Sequence, residues 1–286
     1  MSQQVQFLTR PDGFRLYTVL TLPAEVQPSL VVLFCPPCFD EHSRAYPIMR
    51  EYARSLAAKG LGTLRFDYFA TGDSEGSSDQ FTMRSGVADI LFLVSWLAQR
   101  FPAIRIVPMG VRMGARLLLD ALASQGGALA APLVGPILWD PVLDVRNYVF
   151  SELRATLGGA MIVFQSQLAS REDIIRETLE KGFCERGGYK LNQIDGFPIS
   201  CELFREVGLA TSAAPAWSYP NPAAVVVSVR ATGASARARG QLAAMLPRMD
   251  FHEVEESPYW NQQPVYSQVR KKLFTTTDQC LLRCRA

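Results

Sequence analysis

Residues 104–120 read IRIVPMGVRMGARLLLD, and this stretch decides the fold. Its first part, residues 104–108, is an apolar run that predicts a buried strand, and its second part has the apolar spacing of a helix. Between them, Gly110 and Gly114 flank a short turn centred on Arg112. A sharp bend needs glycine on both sides, because the backbone approaches closely there and the central residue is strained. The stretch therefore predicts a strand, a tight turn and a helix.

Strands and helices alternate along most of the chain. Apolar runs that predict further strands lie at residues 30–34, 62–66, 133–138, 224–229 and 251–255. Helical patterns lie at residues 46–59, 85–99, 115–124, 241–246 and 266–282. A Pro-Asp-Gly turn predicts that residues 5–9 and 14–22 form a hairpin. This alternation predicts an α/β fold with a mostly parallel central sheet that helices cover on both faces.

Residues 145–200 interrupt the alternation, because they are helical and amphipathic and show no clear strand. They follow the sixth predicted strand, which is the position of a cap inserted into a larger unit. The 286 residues are enough for one large α/β domain with such an insertion. We therefore expect a core of residues 1–144 and 201–286, with residues 145–200 as a helical cap or lid.

Composition excludes several classes of function. The net charge is only +2 and no long basic run occurs, so nucleic-acid binding is not indicated. The amino terminus lacks an apolar signal core, and the longest apolar stretch, residues 128–139, is too short to span a membrane. We therefore expect a cytoplasmic protein. The scattered cysteines indicate buried or incidental thiols, with no disulfide framework, no metal site and no cofactor; they are Cys35, Cys38, Cys184, Cys201, Cys280 and Cys284.

The turn at Arg112 has the spacing of a catalytic elbow but not its nucleophile. It reads G-x-R-x-G, where an α/β-hydrolase has G-x-S-x-G. A guanidinium group stays protonated in proteins and has no free lone pair, so Arg112 cannot act as the nucleophile.

The positions of the other two members of a Ser-His-Asp triad are also vacant. No aspartate or glutamate occurs between Val207 and Met249, the stretch that would supply the acid. The histidine position, after the last predicted strand, reads SPYW at residues 257–260, and His252 lies within that strand. We therefore expect no ordinary serine-hydrolase chemistry.

The loop after the strand at residues 30–34 reads CPPCFDEHS and carries the remaining site candidates. It lies where this fold donates an oxyanion-hole amide, at the carboxyl edge of the sheet where ligands bind. The candidate ligand-binding residues are Cys38, Asp40, Glu41, His42, Arg112 and Met113. Three hypotheses stay open: an ion pair that holds the loop on the elbow, an anion clamp formed by Arg112, and residual catalysis. Cys38 beside His42 is a further candidate nucleophile.

Several segments carry a family resemblance. Residues 34–76 look like the start of a serine-aminopeptidase-like α/β-hydrolase. The double-proline loop at residues 36–37 with acidic residues 40 and 41 is also similar to the exosortase A system-associated hydrolases of the second type, as are GVRMGA (110–115), ILWDPVLDVRNYV (137–149), IDGFPIS (194–200) and SPYW (257–260). The resemblance implies that arginine in the elbow is a feature of the group, and it implies a bacterial setting near exopolysaccharide or cell-surface export genes. His42 departs from the loop pattern of that family.

These observations lead to one functional hypothesis and two rivals. We expect a pseudoenzyme, that is, a non-catalytic binding or accessory protein for a small acyl or anionic compound or for a protein partner. The first rival is a non-serine hydrolase or acyltransferase of the ester or thioester type. In it Arg112 serves as an electrophilic clamp, and Glu41 or His42 activates water or an acceptor. The second rival is an assembly subunit with an empty pocket. The sequence leaves the oligomeric state open, including a homodimer.

Overall fold

The computed structural model describes residues 1–24, 27–124, 133–165, 168–209, 224–230, 240, 243–244, 249–261 and 271–285. Its strands are β1 (Ser2–Thr9), β2 (Arg15–Leu22), β3 (Leu30–Cys35), β4 (Gly62–Phe66), β5 (Arg105–Val111), β6 (Ile137–Trp139), β7 (Glu185–Arg186), β8 (Tyr189–Lys190), β9 (Gln193–Ile194), β10 (Phe197–Pro198), β11 (Ala224–Arg230) and β12 (Met249–Glu255). Its helices are α1 (Asp40–Ala58), α2 (Met83–Arg100), α3 (Met113–Ser124), α4 (Val145–Phe164), α5 (Arg171–Lys181), α6 (Cys201–Leu209) and α7 (Lys271–Arg285). Short 3₁₀ turns lie at Ser78–Gln80 and Tyr259–Asn261.

Eight of these strands form one sheet in the order β1-β2-β4-β3-β5-β6-β11-β12. The pairs β1–β2 and β2–β4 are antiparallel, and the remaining neighbours are parallel. Every residue of β3 and β4 is buried, as expected for strands that are covered on both faces. The predicted α/β architecture, a mostly parallel sheet flanked by helices, is confirmed. Among the described residues no helix is long and apolar enough to cross a membrane.

The two faces of the sheet carry separate apolar cores. Alternate residues of β3 point to opposite sides, so Val31 and Leu33 belong to one core while Val32 and Phe34 belong to the other. Helices α2 and α3 contribute to the first core, together with the segment that contains α4 to α6. Helices α1 and α7 contribute to the second. The carboxyl ends of the parallel strands therefore lie between two packed apolar layers.

Three predicted boundaries differ from the observed ones. Helix α1 begins at Asp40 rather than at Tyr46, so most of the acidic loop is its first turn, where negative side chains are favourable. Strand β5 continues through Gly110 to Val111, because the ladder to β6 extends to this point. Strand β6 is short, and Leu133 forms only an isolated bridge to β5. The helix predicted at residues 241–246 lies mostly outside the described residues.

Residues 145–200 contain strands that the sequence analysis did not predict. The segment has helices α4 and α5 followed by two small hairpins, β7–β8 and β9–β10. Their turns, Gly187-Gly188 and Asp195-Gly196, have positive φ at both central residues, as tight hairpin turns require. The expectation of no clear strand was wrong because two-residue strands are too short to show an alternating pattern. That these residues act as a cap stays a proposal.

Both elbow glycines are required by close backbone contacts. A Cβ atom on Gly114 would lie 2.1 Å from the carbonyl oxygen of Pro36 and 2.3 Å from that of Cys35. A Cβ atom on Gly110 would lie 2.3 Å from the Cα atom of Ala115. The first contact presses the loop after β3 against the start of α3. The predicted need for glycine at both positions follows from these distances.

This contact generates a stability prediction with a matched control. Gly114→Ala should lower the free energy of unfolding by about 1–3 kcal/mol, because backbone atoms of a packed loop must move. Gly158→Ala, also in a helix but with no neighbour within 4 Å, should instead raise it by about 0.5–1 kcal/mol. Denaturant unfolding of both variants measures the difference. Equal effects at the two positions would contradict the close approach at Gly114.

Candidate functional site

Arg112 occupies the strained apex between β5 and α3. Its φ of 54° lies in the left-handed region that residues other than glycine rarely adopt. Its amide donates a hydrogen bond to the carbonyl of Trp139 at 2.9 Å, and its carbonyl accepts from the amides of Ala115 at 3.1 Å and Val142 at 3.2 Å. The backbone of the elbow is thus held by β6 and by the loop that follows it. The strain predicted from the flanking glycines is present although the residue is not serine.

Two carboxylates bind the guanidinium of Arg112. Its Nε atom lies 3.1 Å from Oε1 of Glu41, and its Nη1 atom lies 3.3 Å from Oδ2 of Asp140. The same Nη1 atom also donates to the backbone carbonyl of Asp140 at 3.3 Å. Both acidic residues are buried, with 7% of Glu41 and 4% of Asp140 exposed. The elbow therefore holds a buried ion cluster of one guanidinium and two carboxyl groups.

Two aromatic rings complete the surroundings of Arg112. The Cζ atom lies 5.5 Å from the ring centre of Trp260 and 5.8 Å from that of Tyr148. These distances permit cation–π attraction. Trp260 lies in the short 3₁₀ turn after β12, and Tyr148 lies in α4. Trp260 belongs to the segment in which the sequence analysis looked for a catalytic histidine.

Burial and neighbouring charges shift the pKa values of Glu41 and Arg112 in opposite directions. Desolvation raises the pKa of Glu41, and the favourable charge and hydrogen bond of Arg112 only partly offset it. For Arg112, burial lowers the pKa, but Glu41 and Asp140 outweigh burial and the net shift is upward. Desolvation also raises the pKa of Tyr148 well above its usual value, and its hydroxyl supports the Glu41 carboxylate. Arg112 therefore stays a cation whose charge is already matched.

Asp40 and His42, which flank Glu41 in the sequence, have partners other than Arg112. Asp40 pairs with Arg44, one turn further along α1. The Nε2 atom of His42 lies 3.1 Å from Oδ1 of Asp67. Among the described contacts of Asp40, Glu41 and His42, the one with Arg112 is made by Glu41.

Cys38 and Met113 are buried beside the elbow. Met113 begins α3 and is part of the apolar core. Desolvation, with a smaller contribution from Glu41, raises the pKa of the Cys38 thiol far above its usual range. A thiol is a much poorer nucleophile than a thiolate. The geometry therefore gives no support to Cys38 as a nucleophile activated by His42.

Three residues of the Arg112 cluster were not in the predicted site: Asp140, Tyr148 and Trp260. Asp140 follows directly on the carboxyl end of β6, and this position was a usable signal. Trp260 lies in the segment SPYW, whose aromatic residues gave no sign of a contact with Arg112. No sequence pattern pointed to Tyr148, because its contact with Arg112 depends on how α4 lies over the sheet.

A cavity of about 180 Å³ lies beside the cluster. It is formed by the loop before α1, the loop after β4, the 3₁₀ turn Ser78–Gln80 and strand β10. Cys38, Phe39 and His42 line it, whereas Arg112 is not among its described lining residues. A larger and more open depression, about 630 Å³, lies at the opposite end of the sheet near Leu22 and Pro102.

Comparison with known proteins supports the fold. No protein-family model and no curated protein sequence matches the chain. An α/β hydrolase from a Penicillium species is similar with a TM-score of 0.63, 15% identity and 100% of both chains covered. An esterase from Pyrococcus furiosus has a TM-score of 0.62 and 14% identity, covering 99% of this chain and 91% of its own. A serine hydrolase without a lid from Xanthomonas campestris has a TM-score of 0.58 and 14% identity, covering 99% and 95%. The chain has the α/β-hydrolase fold.

The ion cluster predicts a large and pH-dependent cost for Arg112→Met. Loss of the guanidinium leaves the buried carboxylate of Glu41 without its cation, which should lower the free energy of unfolding by about 3–5 kcal/mol near pH 8. Burial already raises the pKa of Glu41 in the folded state, and without Arg112 this pKa rises further above that of the unfolded chain. Stability is then lost as the pH rises through this interval, so the deficit should be smaller at pH 5.

The matched control is Arg205→Met, which breaks an exposed pair with Glu202. Such pairs contribute roughly 0–1 kcal/mol, so this variant should remain close to the wild-type protein at both pH values. Urea unfolding at pH 5 and pH 8 provides the measurement. A deficit for Arg112→Met that is small or independent of pH would contradict the buried cluster.

Proposed function

We propose that this protein is a non-catalytic binding protein on an α/β-hydrolase scaffold, and that its ligand is a small neutral acyl compound. The observation that carries the proposal is the elbow itself. The nucleophile position holds Arg112, whose guanidinium is bound by Glu41 and Asp140. Trp260, from the 3₁₀ turn after β12, lies against the same group. Among the described residues that contact the Arg112 guanidinium, none is a serine, a cysteine or a histidine.

The existing partners of Arg112 favour a neutral ligand over an anion. Two carboxyl groups, of Glu41 and Asp140, already bind the guanidinium. Desolvation raises the pKa of the nearby Glu152, and repulsion from Glu41 and Asp195 raises it further, while Arg112 and Arg44 lower it. An anion that approached Arg112 would have to compete with carboxyl groups that are already in place. An anion clamp is therefore the weaker hypothesis, and the ion pair between loop and elbow is the stronger one.

One observation favours a second candidate, a non-serine hydrolase or acyltransferase. His42 and Asp67 form a pair at 3.1 Å, and His42 lines the cavity beside the elbow. A carboxylate that orients an imidazole is an arrangement suited to activating water. In this candidate Arg112 would polarise an acyl carbonyl, and His42 would be the base.

The motifs quoted above support a finer assignment as part of the proposal. The double-proline loop, the elbow GVRMGA and the ending SPYW resemble exosortase A system-associated hydrolases. We therefore propose a cytoplasmic protein that serves bacterial surface-polysaccharide export. An assembly role with a protein partner fits the same setting.

Covalent labelling tests the proposal directly. A fluorophosphonate probe should form no adduct with any serine of the folded protein, and p-nitrophenyl esters of short acyl chains should not be hydrolysed above background. Arg112→Ser is the matched control variant. It should also stay unlabelled, because the described contacts of the Arg112 side chain include no histidine that could act as the base. Intact-mass spectrometry and absorbance at the nitrophenolate band provide the measurements.

Two outcomes would overturn the proposal in different ways. Stoichiometric labelling of a serine would show a nucleophile that the geometry does not contain. Ester turnover by the wild-type protein that is lost in His42→Ala but kept in His252→Ala would establish the second candidate instead.

A further inference from the structure

Strand β1 forms one edge of the eight-stranded sheet. Among the described strands it pairs with β2, residue by residue from Ser2 to Thr9. In such an antiparallel pair, opposite residues alternate between those that exchange hydrogen bonds and those that direct their backbone groups away from each other. At the hairpin turn the amide of Arg10 donates to the carbonyl of Phe14 at 2.8 Å. This bond sets the alternation for the whole strand, beginning with an outward-directed residue at Thr9.

The hydrogen bonds of β2 agree with this alternation. The amide of Arg15, which lies opposite Thr9, donates to the carboxylate of Glu75 at 3.0 Å, and its carbonyl accepts from the amide of the same residue at 3.0 Å. The amide of Tyr17 donates to the hydroxyl of Ser74 at 2.9 Å, and its carbonyl accepts from the amide of Asp67 at 3.1 Å. Arg15 and Tyr17 therefore direct their backbone groups away from β1, and so do the residues opposite them on the other side of the pair.

The outer edge of β1 thus presents the amides and carbonyls of four residues: Gln3, Val5, Phe7 and Thr9. Their side chains share one face of the sheet, because successive residues of a strand point to opposite faces. Two of these side chains are apolar and exposed, Val5 at 62% and Phe7 at 52%. The edge therefore combines available backbone groups with an apolar stripe beside them.

This edge lacks the features by which proteins keep an edge strand from pairing. Such features are charged side chains, proline and bulges. Ser2–Thr9 reads SQQVQFLT, without charge or proline, and its register with β2 is continuous. Strand β12, at the other end of the sheet order, carries Asp250, Glu253 and Glu255. Charge thus guards one end of the sheet and leaves the β1 end open to a further strand.

The sequence of β1 is complementary to itself in the antiparallel direction. With a two-fold axis at Gln6, Val5 lies opposite Phe7 of a second copy, and Gln3 lies opposite Thr9. All four outward-directed residues then exchange hydrogen bonds, whereas a shift of two residues either way leaves Thr9 or Gln3 opposite a residue outside the strand. A β-branched residue opposite an aromatic ring is a favourable cross-strand pair. No like charges meet, because the strand has none.

We propose that the outer edge of β1 is a dimer interface, on which a second copy of this chain pairs antiparallel with Gln6 opposite Gln6. The two eight-stranded sheets then continue into each other across the axis. A two-fold interface requires a surface that is complementary to itself, and β1 meets this requirement with both its backbone and its side chains. The inference goes beyond the proposed function and does not depend on it, since it involves none of the residues around Arg112.

Removal of one outward amide tests the edge itself. Proline is tolerated in an edge strand where its missing N–H would face solvent, so Val5→Pro should keep the β1–β2 ladder and the fold. It removes two hydrogen bonds from each dimer and should raise the dissociation constant at least about tenfold. Sedimentation velocity of the full chain across the micromolar range measures this constant, and circular dichroism checks the fold. The control is Val163→Lys, which removes a valine that is 73% exposed on α4 and should leave the dimer intact.

Paired charges test the register. Val5→Lys with Phe7→Glu places opposite charges across the proposed axis, so this double variant should remain a dimer that added salt weakens. Val5→Lys with Phe7→Lys changes the same two positions but opposes like charges, so it should be a monomer. These two variants also keep the test decisive if Val5→Pro does not fold.

A disulfide locates the axis. Opposite residues that do not exchange hydrogen bonds have Cα atoms about 4.5 Å apart, which is within the range of roughly 4.4–6.8 Å that a disulfide spans. Gln6→Cys should therefore form a covalent dimer under mild oxidation. Gln4→Cys, on the same face of β1, should not, because its counterpart lies four residues away along the facing strand. The wild-type chain, whose cysteines are buried or half-buried, is the reference.

A wild-type protein that stays monomeric throughout the micromolar range overturns the proposal. So does a dimer that persists in folded Val5→Pro and in the double-lysine variant, or one that only Val163→Lys dissociates, which would place the interface on α4. A covalent dimer through Gln4→Cys rather than Gln6→Cys overturns the register. Labelling of a serine by fluorophosphonate would contradict the proposed function alone, and an inert monomer would contradict this inference alone.

Discussion

The contact between Arg112 and its two carboxylates joins parts of the chain that are far apart in sequence. Arg112 stands between β5 and α3, Glu41 comes from the first turn of α1, and Asp140 follows β6. Tyr148 and Trp260 add α4 and the turn after β12. A buried ion pair contributes little net stability because desolvation offsets the attraction, but loss of one partner is costly. The cluster therefore fixes how these elements meet at the carboxyl edge more than how firmly the sheet holds together.

The sheet and the elbow could be predicted because their signals are local. Continuous apolar runs marked the buried strands, and two glycines at fixed spacing marked a bend whose close contacts the structure shows. One partner of Arg112, Glu41, could be narrowed to three adjacent residues, and the other, Asp140, was not predicted. The three adjacent residues lie on a helix, where successive side chains point about 100° apart, so one of them faces the elbow and its neighbours face elsewhere.

The cavity could not be predicted from the sequence. Its walls come from four separate segments, and the residues that line it show no common pattern along the chain. Phe197 belongs to a two-residue strand that closes a hairpin at Asp195-Gly196. Tyr68 lines the cavity, and its hydroxyl has no hydrogen-bond partner among the described residues, which follows only from the positions of all its neighbours. Packing between distant segments decides such a site, and sequence periodicity does not report it.

The ion cluster at the elbow also constrains which single substitutions the protein can tolerate. A serine at position 112 would stand between two buried carboxyl groups, beside the indole of Trp260. Removal of Glu41 or Asp140 first would leave Arg112 less well compensated, and replacement of Trp260 would open the packing around Tyr259 and Trp139. Each single step therefore costs stability before any step brings a reaction. The contacts of the cluster therefore make each of these single substitutions costly in stability.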